Sequence, residues 1–187
     1  MFYFRIILLL TIILTYITKV NAEITVNLST QLNKGGNLIF IRHAYAPGGG
    51  DPKNFIISDC STQRNLNEDG RNQSIKIGQF FTQNNILIDK VLSSEWCRCK
   101  DTAKIAFDRF ETKNFLNSFF SSKFASNKNQ QIRDLKEYIK NWESDKNLVL
   151  VTHYVLITEV LNYSPSSGEI VISDKNFKVI DSFKIEY

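Results

Sequence analysis

The sequence contains two histidines, and each of them ends a short apolar run. The first run reads NLIFIRH and ends at Arg42 and His43, and the second reads NLVLVTH and ends at His153. Apolar runs of this length, bounded by polar residues, are typical of buried strands in an α/β sheet. Ligands bind to such sheets just beyond the carboxyl ends of the strands. We therefore expect both imidazole rings at one ligand-binding edge of a sheet.

A further arginine, Arg98, lies in the segment SSEWCRCKDTA, residues 93–103, which directly follows a third apolar run. Guanidinium groups bind phosphate through two parallel hydrogen bonds and a fixed charge. Beside such cations an imidazole has its pKa lowered, so that it stays neutral and nucleophilic near pH 7. The pattern predicts a pocket for a tetrahedral dianion, in which two arginines and two histidines converge.

Strands and helices alternate along the sequence. The predicted strands are Leu38–Ile41, Ile88–Leu92, a short third strand at Phe115 and Leu116, Leu148–Val151, and a hairpin of Ile170–Ser173 and Phe177–Ile185. The predicted helices run from the capping residue Asn67 to about Thr82, from the SSEWCR segment to about Phe110, through the amphipathic segment Ile132 to Trp142, and from Val155 to Leu161. This alternation predicts an α/β fold with a largely parallel sheet.

A long loop, residues 44–64, separates the first strand from the first helix. It contains the sequence PGGGDP, whose glycines and prolines exclude a helix or a central strand. Loops of this length within a compact domain usually carry a function.

The first 22 residues have the pattern of a secretory signal peptide. A charged start that includes Arg5 precedes an apolar core, residues 6–17, and the small-residue cleavage motif VNA follows. The core is shorter than the roughly 20 residues of a membrane span, and an uncleaved N-terminal anchor is the alternative. We predict cleavage, secretion to the periplasm, no stable membrane span afterwards, and a single domain over residues 23–187.

The charge of the mature chain does not indicate nucleic-acid binding. Loss of residues 1–22 lowers the net charge from +4 to +2, because the segment carries Arg5 and Lys19 and no carboxylates. The remaining lysines are scattered rather than clustered. We expect no nucleic-acid partner.

The three strand-end motifs, taken in order, resemble the histidine phosphatase superfamily, also called phosphoglycerate mutase-like. They are Arg42-His43, the pattern SSxxxRxxxTA at residues 93–103, and Thr152-His153. The resemblance covers roughly residues 37–172. It implies a three-layer α/β/α sandwich with a mostly parallel central sheet, and a reaction that uses no metal and no other cofactor.

The resemblance also implies roles for the motif residues. His43 is the nucleophile that becomes phosphohistidine. Arg42, Arg98 and His153 bind the phosphoryl group and stabilise its equatorial oxygens during an in-line displacement.

Two further residues are candidates for substrate binding. Arg64 lies where the family often carries a substrate-contacting residue, although a solvated loop arginine is the alternative. Ser94, four residues before Arg98, is the second candidate.

The general acid departs from the family pattern. Mutase-like members place a glutamate shortly after the third strand, where this chain reads LNSF, and acid-phosphatase-like members place an aspartate after the second histidine, where Tyr154 stands. Asp51, Glu95 and Glu169 are the remaining candidates. Without an assigned acid, we expect a preference for good leaving groups such as those of phosphoramidates or acyl phosphates.

The sequence contains three cysteines, which leaves one over after a single bridge. If the 44–64 loop folds over the pocket, Cys60 approaches the start of the helix that carries Cys97 and Cys99. We predict a Cys60–Cys97 disulfide in an oxidising compartment, and a buried Cys99 thiol. Pairing with Cys99, or three reduced thiols, are the alternatives.

These observations predict an exported phosphatase that acts on a phosphomonoester or phosphoramidate. The substrate is either a phosphorylated small molecule or a phosphate of the cell envelope. A phosphotransferase or mutase is one alternative, although the chain lacks the inserted cap segments of sugar-phosphate mutases. A non-catalytic phosphate-binding module on the same fold is the other.

Overall fold

The computed structural model of the chain describes residues 30–187, which form a mixed sheet with helices on both faces. The strands are β1 (Leu38–Arg42), β2 (Ile88–Ser93), β3 (Glu111–Thr112), β4 (Asn147–Thr152), β5 (Glu169–Ser173) and β6 (Val179–Lys184). The helices are α1 (Glu68–Gln83), α2 (Cys97–Phe107), α3 (Lys128–Lys140) and α4 (Tyr154–Leu161), with 3-10 turns at Cys60–Thr62, Asn114–Leu116 and Ala125–Asn127. The predicted signal peptide, residues 1–22, lies outside the described residues.

The sheet has the strand order β3-β2-β4-β1-β5-β6. The first four strands in this order are parallel to one another, and β5 and β6 are antiparallel to their neighbours. The predicted α/β fold with a mostly parallel sheet is therefore confirmed, and so is the antiparallel hairpin at its end.

Each strand of the sheet centre sends alternate side chains to opposite faces, because successive residues of a strand point in opposite directions. In β1, Ile39 and Ile41 pack with α1 and α2, whereas Leu38 and Phe40 pack with α3 and α4. Two apolar cores thus lie on either side of one sheet. This gives the predicted three layers.

Local sequence explains where α1 begins. The side chain of Asn67 accepts a hydrogen bond from the backbone N–H of Gly70, and Glu68 and Asp69 occupy the positively polarised first turn. Gly70 lies so close to the loop that a Cβ atom there would be 1.9 Å from the carbonyl oxygen of Tyr45. This close approach packs the start of the 44–64 loop directly against the first turn of α1.

The predicted third strand at Phe115 and Leu116 was wrong. The third strand is the two-residue β3, and Asn114–Leu116 forms a 3-10 turn. Phe115 and Leu116 are buried against α3. Their apolar character reflects packing beneath the sheet edge rather than pairing within the sheet.

Across residues 30–187, every helix is too short or too polar to cross a lipid bilayer.

Candidate active site

Three strand ends meet at one edge of the sheet. Arg42, the last residue of β1, is the register partner of Thr152, the last residue of β4. The backbone N–H of His43 donates to the carbonyl of Thr152 at 2.9 Å, and that of Ser94 donates to the carbonyl of Val151 at 2.9 Å. The residues that follow these parallel strands therefore gather at one place, as the sequence predicts.

His43 is buried and held in one tautomer. Its Nδ1 lies 2.8 Å from the carbonyl oxygen of Ala44, which can only accept, so Nδ1 carries the proton and Nε2 carries the lone pair. That lone pair accepts a hydrogen bond from Arg98 Nε at 3.2 Å. Burial, followed by the positive charge of Arg98, holds the pKa of His43 well below its ordinary value. The ring is thus neutral near pH 7 and carries an unprotonated Nε2, which is the state that the predicted nucleophile requires.

His153 faces His43, with 5.5 Å between the ring centroids. Its Nε2 lies 2.9 Å from the Ser94 hydroxyl, and its Nδ1 lies 3.5 Å from Arg98 Nη2. Burial, followed by the charge of Arg98, also holds the pKa of His153 well below its ordinary value. Because the Ser94 hydroxyl donates its proton to Oδ1 of Asn117, the ring donates from Nε2–H to Ser94, and its Nδ1 accepts from Arg98 Nη2.

Ser94 lies behind the His153 ring, where it is fully buried. Its hydroxyl is also 3.0 Å from Oδ1 of Asn117, and the same Asn117 oxygen accepts the backbone N–H of Glu95 at 2.8 Å. Because of this placement, Ser94 is better suited to orient the His153 ring than to contact a substrate, which is the role expected from the sequence.

Arg98 is the centre of the cluster and is only 4% exposed. Its Nε donates to Nε2 of His43, and its Nη1 and Nη2 donate to the two carboxylate oxygens of Asp51 at 2.8 and 3.2 Å. The guanidinium therefore contacts both the His43 ring and a carboxylate from the 44–64 loop.

Arg42 and Arg64 complete a ring of cations. Arg42 donates from Nη1 to the carbonyl of Pro165 at 2.8 Å, and its Nε is buried without a hydrogen-bond partner among the described residues. Arg64 donates from Nε to the carbonyl of Gly50 at 2.9 Å and from Nη1 to that of Ala46. Burial lowers the pKa of both guanidinium groups. Unsatisfied and crowded cationic donors of this kind favour an anionic ligand.

The three candidate acids have different surroundings. Asp51 lines the cavity, but Arg98 holds its carboxylate. Glu95 accepts a hydrogen bond from Asn117 and faces away from the cavity, toward a separate groove. Glu169 is bound by the hydroxyl of Tyr163 and by the backbone N–H of Ser166, at 2.6 Å for the latter. Glu95 and Glu169 are thus not among the residues that line the site.

Comparison of the structure with solved structures identifies its fold. The protein histidine phosphatase SixA complexed with tungstate matches with a TM-score of 0.55, at 15% identity, over 79% of this chain and 96% of that protein. A candidate α-ribazole-5′-phosphate phosphatase from Escherichia coli matches with a TM-score of 0.59, at 15% identity, over 81% and 99%. A mycobacterial glucosyl-3-phosphoglycerate phosphatase complexed with VO₃ matches with a TM-score of 0.51, at 14% identity, over 74% and 92%.

This is the histidine phosphatase fold. No family model matches the sequence, and no curated protein matches it by sequence. The phosphoglycerate mutase-like resemblance expected from the three motifs is confirmed at the level of structure.

Over the cluster, the histidine phosphatase fold of this chain opens a cavity of about 560 Å³. The inner wall is the cationic cluster, and the outer wall is formed by the glycines of the 44–64 loop, by Lys53 and Phe55, and by residues 118 and 120–124. Tyr154 also lines the cavity, with the guanidinium carbon of Arg42 lying 5.2 Å from its ring centroid and the Phe120 ring 6.0 Å away. The cavity has room for a small molecule that extends beyond the cationic cluster.

The 44–64 loop is fixed to α2 by a disulfide between Cys60 and Cys97, and the predicted pairing is confirmed. The side chain of Gln63 accepts the backbone N–H of Cys97 at 3.0 Å beside it. Cys99 is free and fully buried, and burial raises the pKa of its thiol to about 12. This thiol is therefore an inert packing group near neutral pH.

No group of three or more histidine, cysteine, aspartate or glutamate side chains within residues 30–187 is arranged to hold a metal ion. A metal-independent site stays a prediction.

The sequence indicates the 44–64 loop over the pocket, but it does not indicate the part of the wall at residues 118 and 120–124 or the support of His153. Asn117 carries no sequence signal of its own, because it reaches Ser94 from the end of a 3-10 turn that lies 23 positions further along the chain. Phe120 gave no signal beyond being an isolated aromatic residue. Tyr154 was noted only as the absence of an aspartate, although its position beside His153 already placed it at the site.

Proposed function

We propose that this protein is a phosphatase that hydrolyses a phosphomonoester or phosphoramidate through a phosphohistidine intermediate on His43. The observation that carries the proposal is the geometry at Nε2 of that residue. The nitrogen is unprotonated, buried, and placed directly against a guanidinium N–H. A phosphoryl group bound by that guanidinium would present its phosphorus to the lone pair.

The proposed reaction has two displacements. In the first, His43 Nε2 forms a bond to phosphorus while the bond from phosphorus to the leaving group breaks. In the second, water attacks the phosphohistidine, inorganic phosphate leaves, and the ring returns to its neutral state. Arg42 and Arg98, together with a His153 ring that takes up a proton at Nδ1 when the dianion binds, hold the three equatorial oxygens in both steps, so that catalysis consists mainly of positioning and charge stabilisation.

The environment of the acids supports a restricted choice of leaving group. Burial alone would raise the pKa of Asp51, but its hydrogen bonds to Arg98 and the charge of that residue outweigh burial and lower it. Asp51 is thus ionised near pH 7 and has no proton to donate. Glu95 and Glu169 do not line the cavity. The leaving group therefore departs best when it needs no proton from the protein, as in a phosphoramidate or an acyl phosphate.

The proposed substrate is a phosphorylated small molecule or a phosphate group of the cell envelope. The size of the cavity and its aromatic and lysine residues support a leaving group with an apolar face and additional negative charge. Export to the periplasm is part of the proposal, and the Cys60–Cys97 disulfide supports it, since such bridges persist in oxidising compartments.

A non-catalytic oxyanion-binding module is the second candidate. The observation in its favour is the engagement of Asp51, which leaves the cavity without a protonated carboxyl group. Such a module would bind phosphate without turnover.

A panel of phosphorylated metabolites that includes phosphoramidate and acetyl phosphate separates the two candidates. The purified mature protein is expected to release inorganic phosphate and, in a rapid acid-free quench, to carry acid-labile phosphate on His43. The variant His43→Ala serves as the control for contaminating phosphatases. Tight vanadate binding with no release of phosphate from any compound would refute the proposed enzyme in favour of the binding module.

A further inference from the structure

Asp51 is a buried carboxylate to which the proposed reaction assigns no chemical step. Its Oδ1 accepts from Arg98 Nη1 at 2.8 Å and from the backbone N–H of Arg64 at 3.1 Å. Its Oδ2 accepts from Arg98 Nη2 at 3.2 Å and from Trp96 Nε1 at 3.0 Å. The side chain is 8% exposed, so four donors hold a nearly buried anion.

The two edges of the Arg98 guanidinium have different partners. One edge, formed by Nη1 and Nη2, carries the bidentate pair with Asp51. The other edge, formed by Nε and Nη2, faces His43 Nε2 at 3.2 Å and His153 Nδ1 at 3.5 Å. A planar guanidinium has no freedom to turn one edge without turning the other. The carboxylate therefore determines which edge is presented to the nucleophile.

We propose that Asp51 is a positioning residue that sets the orientation of Arg98, so that the Nε–Nη2 edge is ready to receive two phosphoryl oxygens. The inference rests on the proposed function, because it takes the space beside His43 Nε2 as the phosphoryl site. This positioning role replaces the role of general acid, for which Asp51 was one of the three candidates in the sequence.

The geometry distinguishes this role from that of a substrate mimic. A carboxylate that blocked the pocket would occupy the edge next to the nucleophile, where the phosphoryl group must bind. Asp51 instead occupies the far edge, and the near edge has only imidazole nitrogens as partners. Phosphate can thus bind while the ion pair stays intact.

The 44–64 loop is built to hold this carboxylate in place. Its contacts converge on three consecutive residues, because Asp51 binds Trp96 and Arg98 while Cys60 is bonded to Cys97 between them. A loop anchored on both sides of the ion pair keeps the carboxylate in register with the guanidinium.

A double-mutant cycle tests the proposal. Hydrolysis of p-nitrophenyl phosphate and calorimetric binding of orthovanadate are measured for the wild type, Asp51→Asn, Arg98→Lys and the double variant. Asp51→Asn keeps the side-chain volume but replaces one acceptor with a donor facing the guanidinium. Asp59→Asn is the matched control, because it removes an exposed carboxylate from the same loop and an amide oxygen can still cap the 3-10 turn.

We expect Asp51→Asn to lower kcat about 100-fold, with a smaller change in KM, which is typical of a mispositioned catalytic group. In the Arg98→Lys background the same change should have almost no further effect, since an ammonium has no second edge to orient. Asp59→Asn should retain wild-type kcat.

Equal losses in both backgrounds, or a kcat within threefold of wild type for Asp51→Asn, overturn the positioning role. If Asp51→Asn unfolds, Asp51→Glu provides the second variant, and it should recover less than a tenth of kcat because its longer side chain shifts the guanidinium. Wild-type protein that binds vanadate but releases phosphate neither from this ester nor from any compound of the panel refutes the proposed function alone, and the effect of each variant is then measured as its change in vanadate affinity. Wild-type protein that neither binds nor hydrolyses refutes both.

Discussion

Replacement of Arg98 by lysine separates the role of its shape from the role of its charge. The guanidinium has three nitrogens, and with them it binds Asp51 and Nε2 of His43 at the same time. A lysine offers one nitrogen, which can pair with the carboxylate or with a phosphoryl oxygen but does not reach both in this geometry. The variant keeps the positive charge and loses the fork.

The expected cost follows from the hydrogen bonds that the fork would make to the phosphoryl group. The lysine variant loses two charge-assisted hydrogen bonds. We take about 1.5 kcal/mol for each, the low end of the range for hydrogen bonds to charged groups, because the variant keeps the positive charge. The total of about 3 kcal/mol corresponds to a rate loss on the order of 10²-fold. Arg98→Ala also removes the cation that pairs with the buried Asp51 carboxylate, which should lower folding stability by about 3–5 kcal/mol.

The assay is kcat/KM for p-nitrophenyl phosphate, together with the thermal shift produced by vanadate. Arg98→Lys should be nearly as inactive as Arg98→Ala, and vanadate should stabilise neither. Arg71→Lys is the control, because Arg71 is exposed and pairs only loosely with Asp101 at 3.6 Å. An Arg98→Lys variant that keeps a third or more of wild-type activity would show that the pocket needs a point charge alone, and the fork argument would be refuted.

The remaining predictions concern the nucleophile, pH, the disulfide and metals. His43→Ala should remain folded and lose at least 99% of kcat, together with the acid-labile phosphate; a variant with more than about a tenth of the activity, a loss of only ~1.4 kcal/mol, excludes covalent catalysis at this residue. The pKa values of His43 and His153 are lowered in the folded state, so the unfolded chain binds more protons than the folded chain below pH 6.5. The free energy of unfolding should therefore fall as the pH drops, by up to about 1.4 kcal/mol per pH unit for each histidine. Urea melts of wild type and His153→Asn at pH 7 and pH 5 check this, and a wild-type stability that does not depend on pH contradicts it. Replacing Cys60 and Cys97 together by serine should lower the free energy of unfolding by about 3–4 kcal/mol through loop-closure entropy, and a difference below 1 kcal/mol in urea melts excludes that account. Activity should survive a chelator, and a loss that added zinc or magnesium restores contradicts a metal-free mechanism.

The sequence predicts the sheet well because its central strands are buried on both faces. Each of these strands is a continuous apolar run, and in a small domain the centre of a sheet is one of the few positions where such a run can be fully buried. Arg42, His43 and His153 lie at the carboxyl ends of parallel strands, so their common location at one sheet edge can be predicted without any knowledge of side-chain contacts. The same reasoning fails at Phe115 and Leu116, because two apolar residues can be buried by a turn as easily as by a strand.

The support of the site is harder to predict, since it depends on contacts between distant parts of the chain. Asp51 could be named as an acid because it is ionisable and lies in the loop, but its role depends on where Arg98 points. The orienting contact between Ser94 and His153 joins residues from different strand ends, and periodicity carries no information about it. The disulfide was predictable because the expected oxidising compartment favours a bridge, and because the position of Cys60 at the loop end brings it near the start of α2.

The pairing of β1 with β4 has a consequence for how the chain acquires its pocket during synthesis and folding. The paired residues, such as Leu38 and Leu148, lie about 110 positions apart, so this contact closes one of the longest loops in the protein. Pairing between distant positions forms late, because the chain loses the entropy of closing the loop before the contacts stabilise it. A nascent chain that stops short of β4 therefore has His43 but no partner strand to place it against a second imidazole. Phosphate and vanadate should bind only the completed fold, and at 100 times their dissociation constant they would stabilise it by about 2.7 kcal/mol. Oxyanion in a refolding buffer should therefore stabilise the state in which β1 and β4 are paired and leave the steps before that pairing unchanged.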